Sequence, residues 1–329
     1  MNWTISALRP EDGKEALAIL KAASDKGEVV YKPLDEEDFN TRFFGENRWG
    51  FAAHDENGKV IGWIHGTAKT SFLNGETAEN TPIYLTLILV DEAWRRQGVG
   101  TALLNALRQV GIDNHKKAMV VSGDNPLHLT WLIPGAGGHD HNNAPGVDEK
   151  GIGFEFLKKN GFVDKFHEIS LYMNLKNFQW NPKLDEMIKK LNDEGIYVGR
   201  WEMGMGEEYD EMCDRVGSEY WRKVLKDETT CENPRVILAG VTNGHIVGFT
   251  GPVDLEPSGR GWFTGICVDP LFEKRGIATV IFNDLMHEFI LEGAKFSTLF
   301  TGVDNHAQKL YKRTGFNVKR TFAIMKKEI

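Results

Sequence analysis

Two glycine-rich turns have the residue types and spacing that could bind an anion. Residues 95–100, Arg-Arg-Gln-Gly-Val-Gly, follow the apolar run 85–90, and residues 273–278, Glu-Lys-Arg-Gly-Ile-Ala, follow a similar run in the second half. Glycine lets backbone N–H groups approach a ligand closely, and the start of a helix adds unpaired donors and roughly half a positive charge. Each turn therefore predicts a cradle suited to a pyrophosphate. The alternative is that Gly98 and Gly276 serve only to make a tight turn from strand to helix.

Other phosphate-binding and hydrolase motifs are missing from the sequence. Neither turn reads G-x-x-x-x-G-K-[ST] or G-x-G-x-x-G, so hydrolysis of a nucleotide triphosphate loses support. His287 and Glu288 lack the second histidine of H-E-x-x-H, and no G-x-S-x-G is present. Metalloprotease and serine hydrolase functions are therefore unsupported.

The chain contains an internal repeat, and the two turns belong to it. Three features recur in the same order: an Asn-Gly hairpin, the glycine turn, and a helix end followed by glycine. Asn-Gly between short apolar segments is typical of a type I′ hairpin turn. The matching pairs are 57–64 with 243–250, 90–101 with 268–279, and 156–162 with 310–316.

The repeat predicts two mixed α/β domains, each with a central sheet flanked by helices. Each copy reads as strand, helices, hairpin, strand, glycine turn, helix, strand, helix and strand. The first domain spans 1–177, and within it residues 131–151, rich in Pro-Gly and Gly-Gly pairs, predict an irregular inserted loop. Residues 184–191 have apolar side chains at helical spacing, which places a linker helix within 178–194. The second domain spans 195–329.

Composition bounds the class of protein and of partner. The chain has 329 residues, of which 41% are hydrophobic and 26% charged, which is enough apolar material for two globular cores. A formal net charge of -8 argues against nucleic acid and anionic membranes as partners. Without a long apolar run or a leader-like start, the expected location is cytoplasmic. Cys213, Cys231 and Cys267 lack a C-x-x-C spacing and are interpreted as reduced thiols.

Taken together, the glycine turns and helix ends resemble the GNAT superfamily of acetyltransferases, including its tandem members of the mycothiol synthase type. That family carries [Q/R]-x-x-G-x-[G/A] after its fourth strand and a later N-x-x-A-x-x-L-Y-x-x-x-G-F segment. Residues 304–316 match the later segment at Ala, Leu, Tyr, Gly and Phe. Asp304 stands where the family has Asn, which here comes one place later, at Asn305. Each copy also departs from the pattern at a position that bears on binding or chemistry. Leu157 stands at the tyrosine position of the first copy, and Glu273 stands at the Gln/Arg position of the second.

The resemblance implies an N-acyltransferase that moves an acyl group, in the simplest case from acetyl-CoA, directly to an amine. It implies that the pyrophosphate binds the amides of a turn and that the preceding strand splays to admit the thioester. The acceptor is expected to be a small-molecule or peptide amine, and the oligomeric state, monomer or homodimer, stays open. The residues that the resemblance assigns to the cofactor are Leu89, Val90, Arg95, Arg96, Gln97, Gly98, Val99, Gly100 and Thr101 in the first copy, and Cys267, Val268, Lys274, Arg275, Gly276, Ile277, Ala278, Thr279 and Asn305 in the second.

Transfer to an amine needs a base and an acid. A primary amine has a pKa near 10.4, so removing its proton at pH 7 costs roughly 4 to 5 kcal/mol. Asp254 and Glu256 are carboxylates before the second-copy strand, but the base is left open. The departing thiolate needs a proton or a hydrogen bond, and the resemblance makes Tyr311 the acid; the alternative is a ring that only packs. Leu157 replaces this tyrosine in the first copy, and Glu273 places a negative charge, which repels a pyrophosphate, in the second turn. The first copy is therefore expected to be better suited to cofactor binding and the second to chemistry.

Further alternatives stay open at this point. The inserted segment from Gly138 to Asn143 contains His139 and His141, which are conceivable metal ligands together with His128 upstream and Asp148 downstream. A polar loop covering the first cleft is the favoured interpretation, and no metal is predicted. Trp131 could line an acceptor pocket there. The rival function is a non-catalytic acyl-CoA-binding or scaffolding protein, since each copy has one damaged position. A third interpretation, acetylation of protein lysines or N-termini, would require an open acidic cleft.

Overall fold

The chain forms two compact units, and it passes from one to the other four times, three of them within a strand. The computed structural model describes residues 2–72, 75–136, 139–142 and 144–329. Unit 1 consists of the chain up to Ser170 together with Phe300–Val303 and Lys319–Ile329, and unit 2 consists of Leu171–Leu299 and Asp304–Val318. The predicted domain bounds follow the order of the repeat, whereas the units follow the contacts of the folded chain.

The first copy shows the predicted order of elements, with short strands added in the insertion. Single turns of 3₁₀ helix stand at Pro10–Asp12 and Glu92–Trp94. The elements are β1 (Trp3–Ala7), α1 (Gly13–Asp25), α2 (Glu36–Arg42), β2 (Arg48–Asp55), β3 (Val60–Thr67), β4 (Ile83–Val90), α3 (Val99–Asp113), β5 (Ala118–Val121), β6 (Thr130–Leu132), β7 (Asp140–Asn142), β8 (Val147–Asp148), α4 (Ile152–Lys159) and β9 (Val163–Asn174).

The second copy repeats this order after a linker helix. Its 3₁₀ turns stand at Leu175–Asn177, before the linker helix, and at Pro270–Phe272. The elements are α5 (Lys183–Asp193), β10 (Tyr197–Arg200), α6 (Asp210–Val216), α7 (Glu219–Thr230), β11 (Leu238–Thr242), β12 (His245–Gly251), β13 (Asp254–Leu255), β14 (Arg260–Trp262), β15 (Gly265–Val268), α8 (Ile277–Leu291), β16 (Phe296–Gly302), α9 (Gln308–Thr314) and β17 (Asn317–Glu328).

The sheet of unit 1 runs β1-β2-β3-β4-β5 and is completed by the last strand of the chain. Its pairs are antiparallel except for β4 and β5, which are parallel. β17 lies beside β5, where Met325 pairs with Val121 and Glu328 with Ala118. The pairing joins residues about 200 positions apart, so no local pattern in the sequence predicts it.

Unit 2 contains a four-stranded antiparallel sheet, β10-β11-β12-β15. β14 pairs in parallel with β16, and β16 neighbours β9. The strand that corresponds to β4 is therefore divided into β14 and β15. The mixed α/β architecture predicted from the repeat is confirmed in both copies.

Two apolar cores cover the two faces of the first-copy sheet. On one face α3 buries Leu103, Leu104 and Leu107, spaced as one side of a helix, against strand residues such as Ile64. On the other face α1 and α2 pack around Trp63, whose indole N–H donates to the carbonyl of Ala16 at 3.0 Å. Burial of this many aliphatic side chains, at about 25 cal/mol per Å² of apolar surface, holds β3 and β4 in place between helices.

The hairpin turns of the two copies differ, and the type I′ prediction is wrong for the first. In the second copy Asn243 and Gly244 both have positive φ, at 49° and 81°, as type I′ requires. In the first copy Gly58 has a φ of 81° and donates to the carbonyl of Asp55 at 3.0 Å, which gives a longer loop in which Asn57 does not share the positive φ. The cause is the Asp55 carboxylate, which accepts hydrogen bonds from the amides of Asn57 and Lys59 at 2.9 Å each.

The helix ends and the linker helix agree with the sequence. Gly161 and Gly315, with φ of 85° and 117°, follow the last turns of α4 and α9, as their glycine signals predict. α5 forms with Leu184 and Leu191 buried. None of the described helices combines the length and apolar character that a membrane span needs.

Candidate active site

β4 separates from β5 after two residues, and this split opens the sheet of unit 1. The parallel pairing holds only at Ile83 with Met119 and at Tyr84 with Val120. From Leu85 onward β4 pairs on its other side with β3 alone. The carbonyl and amide groups on the free edge of β4 thus become available to a ligand.

Thr86 marks the start of the split because it is the extra residue of a β-bulge. Gly66 pairs with Leu85 and His65 pairs with Leu87, so Thr86 has no partner in the β3–β4 ladder. A bulge turns the local strand and re-aims its side chains, which is why bulges recur beside active sites. The bulge residue and its hydrogen-bonding partners form what we call the Thr86 cluster: Tyr31, His65, Thr86 and Asn125.

The hydrogen bonds of the Thr86 cluster assign the tautomer of His65. Its Nε2 lies 3.1 Å from the carbonyl oxygen of Phe43, which can only accept, so Nε2 carries the proton. Nδ1 therefore accepts from the hydroxyl of Thr86 at 3.2 Å, and the Thr86 oxygen accepts from Asn125 Nδ2 at 3.1 Å. Burial lowers the pKa of His65 to about 3, so the ring is neutral at physiological pH.

A cavity of about 720 Å³ runs along the free edge of β4 in unit 1. It is lined by the glycine turn, by Tyr31 and Thr86 of the Thr86 cluster, and by the end of the insertion at Ala144 and 146–148. Its wall is mostly aliphatic, from β4, α4 and the segment after α1. The predicted cofactor residues that line it are Leu89, Val90, Arg95, Arg96, Gly98, Gly100 and Thr101; Gln97 and Val99 belong to the same turn but do not line the cavity.

The glycine turn has two residues with positive φ just before α3. Arg96 and Gly98 have φ of 62° and 86°, so the chain alternates direction before α3 begins. The first bond of the helical ladder runs from Ala102 N to Gly98 O at 3.0 Å, which leaves the amides of residues 99–101 ahead of the ladder. A Cβ built on Gly98 would meet Trp3 only at 3.9 Å, so the approach to the turn is open.

Arg95 and Arg96 have different surroundings. The guanidinium of Arg95 donates to both carboxylate oxygens of Glu28, at 3.0 and 2.6 Å, and to the carbonyl of Val90 at 3.0 Å. This ion pair lowers the pKa of Glu28 and neutralises much of the Arg95 charge. Arg96 is exposed at the mouth of the turn. Of the two arginines predicted to form a cationic lip, Arg96 is thus the one whose charge faces solvent.

Tyr31 is a hydroxyl at the split that the sequence analysis did not single out. It is partly buried and lines the cavity, and its O–H donates to the carbonyl of Thr86 at 3.2 Å. Burial raises its pKa to about 12, so the phenol stays protonated. Leu157, at the tyrosine position of the family motif, lines the same cavity with 3% of its surface exposed.

The second glycine turn has the same backbone but is packed against α5. Lys274 and Gly276 have φ of 62° and 102°, and α8 begins with a bond from Val280 N to Gly276 O at 3.1 Å. Here the Cε of Met187 lies 2.5 Å from the place where a Cβ of Gly276 would be. Arg275 lies 3.4 Å from Glu194 of the residues following α5. The two turns are alike in shape and different in what covers them.

Tyr311 lies inside the core of unit 2. It is 7% exposed, its ring centroid is 5.1 Å from that of Phe282 and 6.5 Å from that of Phe316, and burial raises its pKa to about 12. The assignment of Tyr311 as the acid stays a prediction, but its surroundings are those of a packing ring. The two base candidates of this copy are both in ion pairs, Asp254 with Arg235 at 3.2 Å and Glu256 with Arg260 at 3.0 Å.

The remaining predicted residues of the second copy are spread along its turn, strand and last helix. Cys267 in β15 is buried, which raises the pKa of its thiol to about 12, and Val268 ends that strand. Glu273, the first residue of the glycine turn, is exposed. Ile277, Ala278 and Thr279 begin α8. The side-chain oxygen of Asn305 accepts from the amide of Ala307 at 2.8 Å, just ahead of α9.

The insertion contains paired strands where the sequence predicts an irregular loop. β6 and β7 form a hairpin in which Trp131 pairs with His141, because alternating residues such as Trp131 and Ile133 find a buried side. His141 is 3% exposed and its ring lies 4.6 Å from that of Phe300. Within the described parts of the chain no group of three or more potential metal ligands is found; Gly138 and Asn143 lie outside those parts.

Comparison with known proteins places this geometry among acetyltransferases. A family profile described as "Acetyltransferase (GNAT) family" matches residues 16–127 and 178–316. A search of curated proteins finds no match. The profile thus covers both glycine turns and both hairpins.

Solved structures similar to this chain show the same fold over nearly its whole length. One is a fungal multi-domain GH3 β-N-acetylglucosaminidase with a GCN5-related glucosamine N-acetyltransferase region: identity is 15%, TM-score 0.65, and the match covers 99% of this chain and 38% of that one. A GCN5-related N-acetyltransferase from Sphaerobacter thermophilus has 16% identity and TM-score 0.58, covering 99% and 95%. A tandem GNAT protein from the clavulanic acid biosynthesis pathway has 13% identity and TM-score 0.52, covering 99% and 98%.

Proposed function

Since the chain belongs to the acetyltransferase (GNAT) family, we propose that it transfers an acetyl group from acetyl-CoA to an amine and that both binding and chemistry take place in the cavity of unit 1. The observation that carries the proposal is the cavity itself, which joins an open glycine turn at one end to the split of β4 at the other. Acetyl-CoA carries its pyrophosphate and its thioester at the two ends of one pantetheine arm, so the proposal has one ligand contact both the turn and the split. This assignment replaces the division of labour that the motifs alone suggested.

The glycine turn supplies the anchor for the pyrophosphate. The amides of residues 99–101 precede the ladder of α3, and Arg96 adds an exposed positive charge. Hydrogen bonds to a charged group are worth about 1.5 to 3 kcal/mol each, so two or three of them give millimolar to micromolar affinity. The aliphatic wall from Leu87 to Leu157 then shields the pantetheine arm from water.

The chemistry at the split needs no covalent intermediate on the protein. The neutral amine nitrogen attacks the thioester carbon, the N–C bond forms, the C–S bond breaks, and the electron pair stays on sulfur. The proton shed by nitrogen balances the one that sulfur takes up. Of the described carboxylates that line the cavity, Glu28 is paired with Arg95 and Asp148 lies 3.2 Å from Arg320 Nε, while Glu155 is exposed on α4. The base therefore stays unassigned.

Tyr31 is the residue that we assign to the leaving sulfur. Its hydroxyl lies at the split, and a phenol with a pKa of about 12 keeps its proton throughout the pH range of the reaction. For this role the single O–H must turn from the Thr86 carbonyl to the sulfur. A hydrogen bond that strengthens as charge develops on sulfur lowers the barrier without requiring full proton transfer. Leu157, at the tyrosine position of the motif in this copy, has no such group, which is why we assign the role to Tyr31.

Paired substitutions in the two turns test the proposal. Gly98→Glu and Gly276→Glu each place a carboxylate at a positive-φ glycine ahead of a helix, so both carry backbone strain and a negative charge. The second must in addition displace the Cε of Met187, so the folding of both variants is checked by circular dichroism. We expect Gly98→Glu to weaken acetyl-CoA binding, measured by calorimetry, by at least about 100-fold, or about 2.7 kcal/mol. Gly276→Glu is expected to retain binding. The reverse pattern would move the site to the second copy.

The rival function, a non-catalytic acyl-CoA-binding protein, is favoured by Leu157 at the tyrosine position. Thiol release separates the two. Acetyl-CoA binding that depends on Gly98, with thiol release that depends on an added amine, supports the enzyme. The same binding with no amine-dependent thiol release on a broad panel of acceptors supports the binder.

A further inference from the structure

We propose that the acceptor is a compact, hydroxylated amine that enters a closed compartment, and not the side chain or terminus of a polypeptide. The inference rests on the proposed function, because it concerns the acceptor end of the same cavity. Three observations carry it: a covering of backbone-paired strands, the burial of the residues at the split, and the uncharged polar groups that face it.

The covering, which we call the roof, consists of the described residues 28–32, 130–136, 139–142 and 144–148 in unit 1. The segment after α1 pairs with the insertion through Leu132 N to Val30 O at 2.8 Å and Lys32 N to Thr130 O at 2.9 Å. Lys32 Nζ also lies 2.8 Å from a carboxylate oxygen of Asp140. Main-chain pairing of this kind gives the roof a sheet-like structure, unlike an irregular loop.

The roof is fixed to the rest of unit 1 on its inner side. Trp131 is 1% exposed and its ring contacts those of Phe322 and Phe300 at 5.3 and 6.2 Å. β8 pairs with β17. Gly146 packs so closely on that strand that an added Cβ would lie 2.4 Å from the carbonyl oxygen of Ala323. Lifting the roof would therefore break both a paired strand and an apolar cluster.

Residues at the split are buried beneath the roof. Ser122 and Asn125, which follow β5, are 8% and 7% exposed, and Ala144 of the roof is 5% exposed. A peptide acceptor binds as an extended chain along an open groove or sheet edge, with residues continuing on both sides of the reacting amine. The burial of these three residues at the split favours an acceptor that fits inside the cavity over an extended chain laid across it.

Four of the residues at the split carry polar, uncharged side chains. A small side pocket of about 10 Å³ joins the residues at this end, including Tyr31, Thr86, Ser122 and Asn125. Tyr31 and Thr86 retain acceptor capacity, Ser122 has a hydroxyl, and Asn125 has a second N–H beyond its bond to Thr86. Hydroxyl and amide groups in a dry site recognise hydroxyls of a ligand, whereas a dedicated cation site would present a free carboxylate.

An acceptor panel of matched pairs tests the inference in the full chain. Ethanolamine, glucosamine and serine amide are offered free, and pentapeptides offer an N-terminal serine and an internal lysine, with thiol release from acetyl-CoA as the readout. We expect at least one free hydroxylated amine to exceed every peptide in kcat/KM by at least about 100-fold. Peptides that match or exceed the free amines would overturn the inference.

A labelling experiment tests the same inference without activity, so that it survives failure of the proposed function. Ser122→Cys and, separately, Ala144→Cys place a thiol at the closed end, and the exposed native Cys231 serves as internal reference. With peptide mapping by mass spectrometry, we expect iodoacetamide to modify the new thiol and a 5-kDa maleimide polymer to modify Cys231 at least about 100-fold faster than the new thiol. Polymer labelling at equal rates would show an open cleft, and no labelling by either reagent would show a site that admits no acceptor; both results overturn the proposal.

Discussion

At the scale of single residues, the site depends on one bulged threonine. Thr86 offers its carbonyl to Tyr31 and its hydroxyl to His65 and Asn125, so three side chains from different parts of the chain are positioned by one residue. Because Thr86 has no ladder partner, its carbonyl is free to take this bond. A substitution at any of the three partners should therefore alter the chemistry at the split more than the binding of acetyl-CoA at the glycine turn.

Tyr31→Phe tests the role of the phenol. We expect kcat to fall by about 100-fold, the lower range for loss of an acid in a transition state, while the dissociation constant for acetyl-CoA changes less than about twofold. Steady-state kinetics and calorimetry measure the two quantities. Tyr197→Phe is the matched control, because Tyr197 also donates to a backbone carbonyl, that of Arg200 at 2.8 Å, on a strand of unit 2. An unchanged kcat in Tyr31→Phe would exclude the assigned role.

His65→Gln tests the neutral histidine. Its folded pKa of about 3 lies below the unfolded value of 6.5, so the unfolded chain binds the extra proton between those values. The wild type should therefore lose about 1.4 kcal/mol of stability for each pH unit below 6.5 and gain nothing above it. Glutamine can accept from Thr86 and donate to Phe43 without titrating.

The measurement is the difference in thermal midpoint between wild type and His65→Gln at pH 7.5, 6.5, 5.5 and 4.5. We expect the wild type to have the higher thermal midpoint at pH 7.5 and the difference to shrink as the pH falls. The reason is that only the wild type loses stability by keeping this ring unprotonated in the folded state. A gap that is constant across the series would show that His65 does not stay uncharged in the folded protein.

At the scale of elements, the repeat predicted most of the architecture because its signals are local. The glycines at 98 and 276 and at 161 and 315 all have positive φ, and each position is marked by the residue type alone. The hairpin of the first copy shows the limit of such signals, since one carboxylate, Asp55, changed the turn type. Side-chain competition for backbone amides is harder to read than glycine itself.

The sequence analysis singled out the glycine turn of the candidate site but not the split of β4. The turn lies on consecutive residues, whereas the split is assembled from Tyr31, Thr86 and Asn125, which share no spacing. Tyr311, which the motif favoured, packs against Phe282 inside a core. A motif gives the identity of a residue, but its exposure depends on what the rest of the chain packs on it.

Gly146→Ala tests the attachment of the roof through β8. The added methyl would meet the backbone of Ala323 at 2.4 Å, and because a strand backbone cannot move aside as a side chain can, β8 must shift. We expect a loss of about 1 to 3 kcal/mol in unfolding free energy, measured by denaturant titration. Gly153→Ala is the control: nothing lies within 4 Å of its added methyl, and it sits in α4, so it should be neutral or stabilising by up to about 1 kcal/mol. Equal stability of the two variants would argue against a tight β8–β17 contact.

At the scale of the whole molecule, the last residues of the chain complete the fold of unit 1. Lys319–Ile329 belong to unit 1, where they pair with β5 and β8 and bury Phe322 against Trp131 of the insertion. Folding of the proposed site thus requires closure of a loop of about 200 residues, and local contacts do not offset the entropy lost in that closure. The consequence is that the cavity should depend on residues far from the glycine turn in sequence.

Phe322→Ala tests that dependence. Phe322 is fully buried, so its removal should cost about 3 to 5 kcal/mol of stability and loosen the insertion that closes the cavity. Val318→Ala, on the same strand but 43% exposed, should change stability by no more than about 0.5 kcal/mol. We further expect acetyl-CoA to raise the thermal midpoint of the Val318 variant as much as that of wild type and that of the Phe322 variant less, because a ligand stabilises only a folded site that it can bind. If Phe322→Ala bound acetyl-CoA with wild-type affinity, the insertion and the last strand would be dispensable for the cavity, and the site would reduce to the glycine turn and β4.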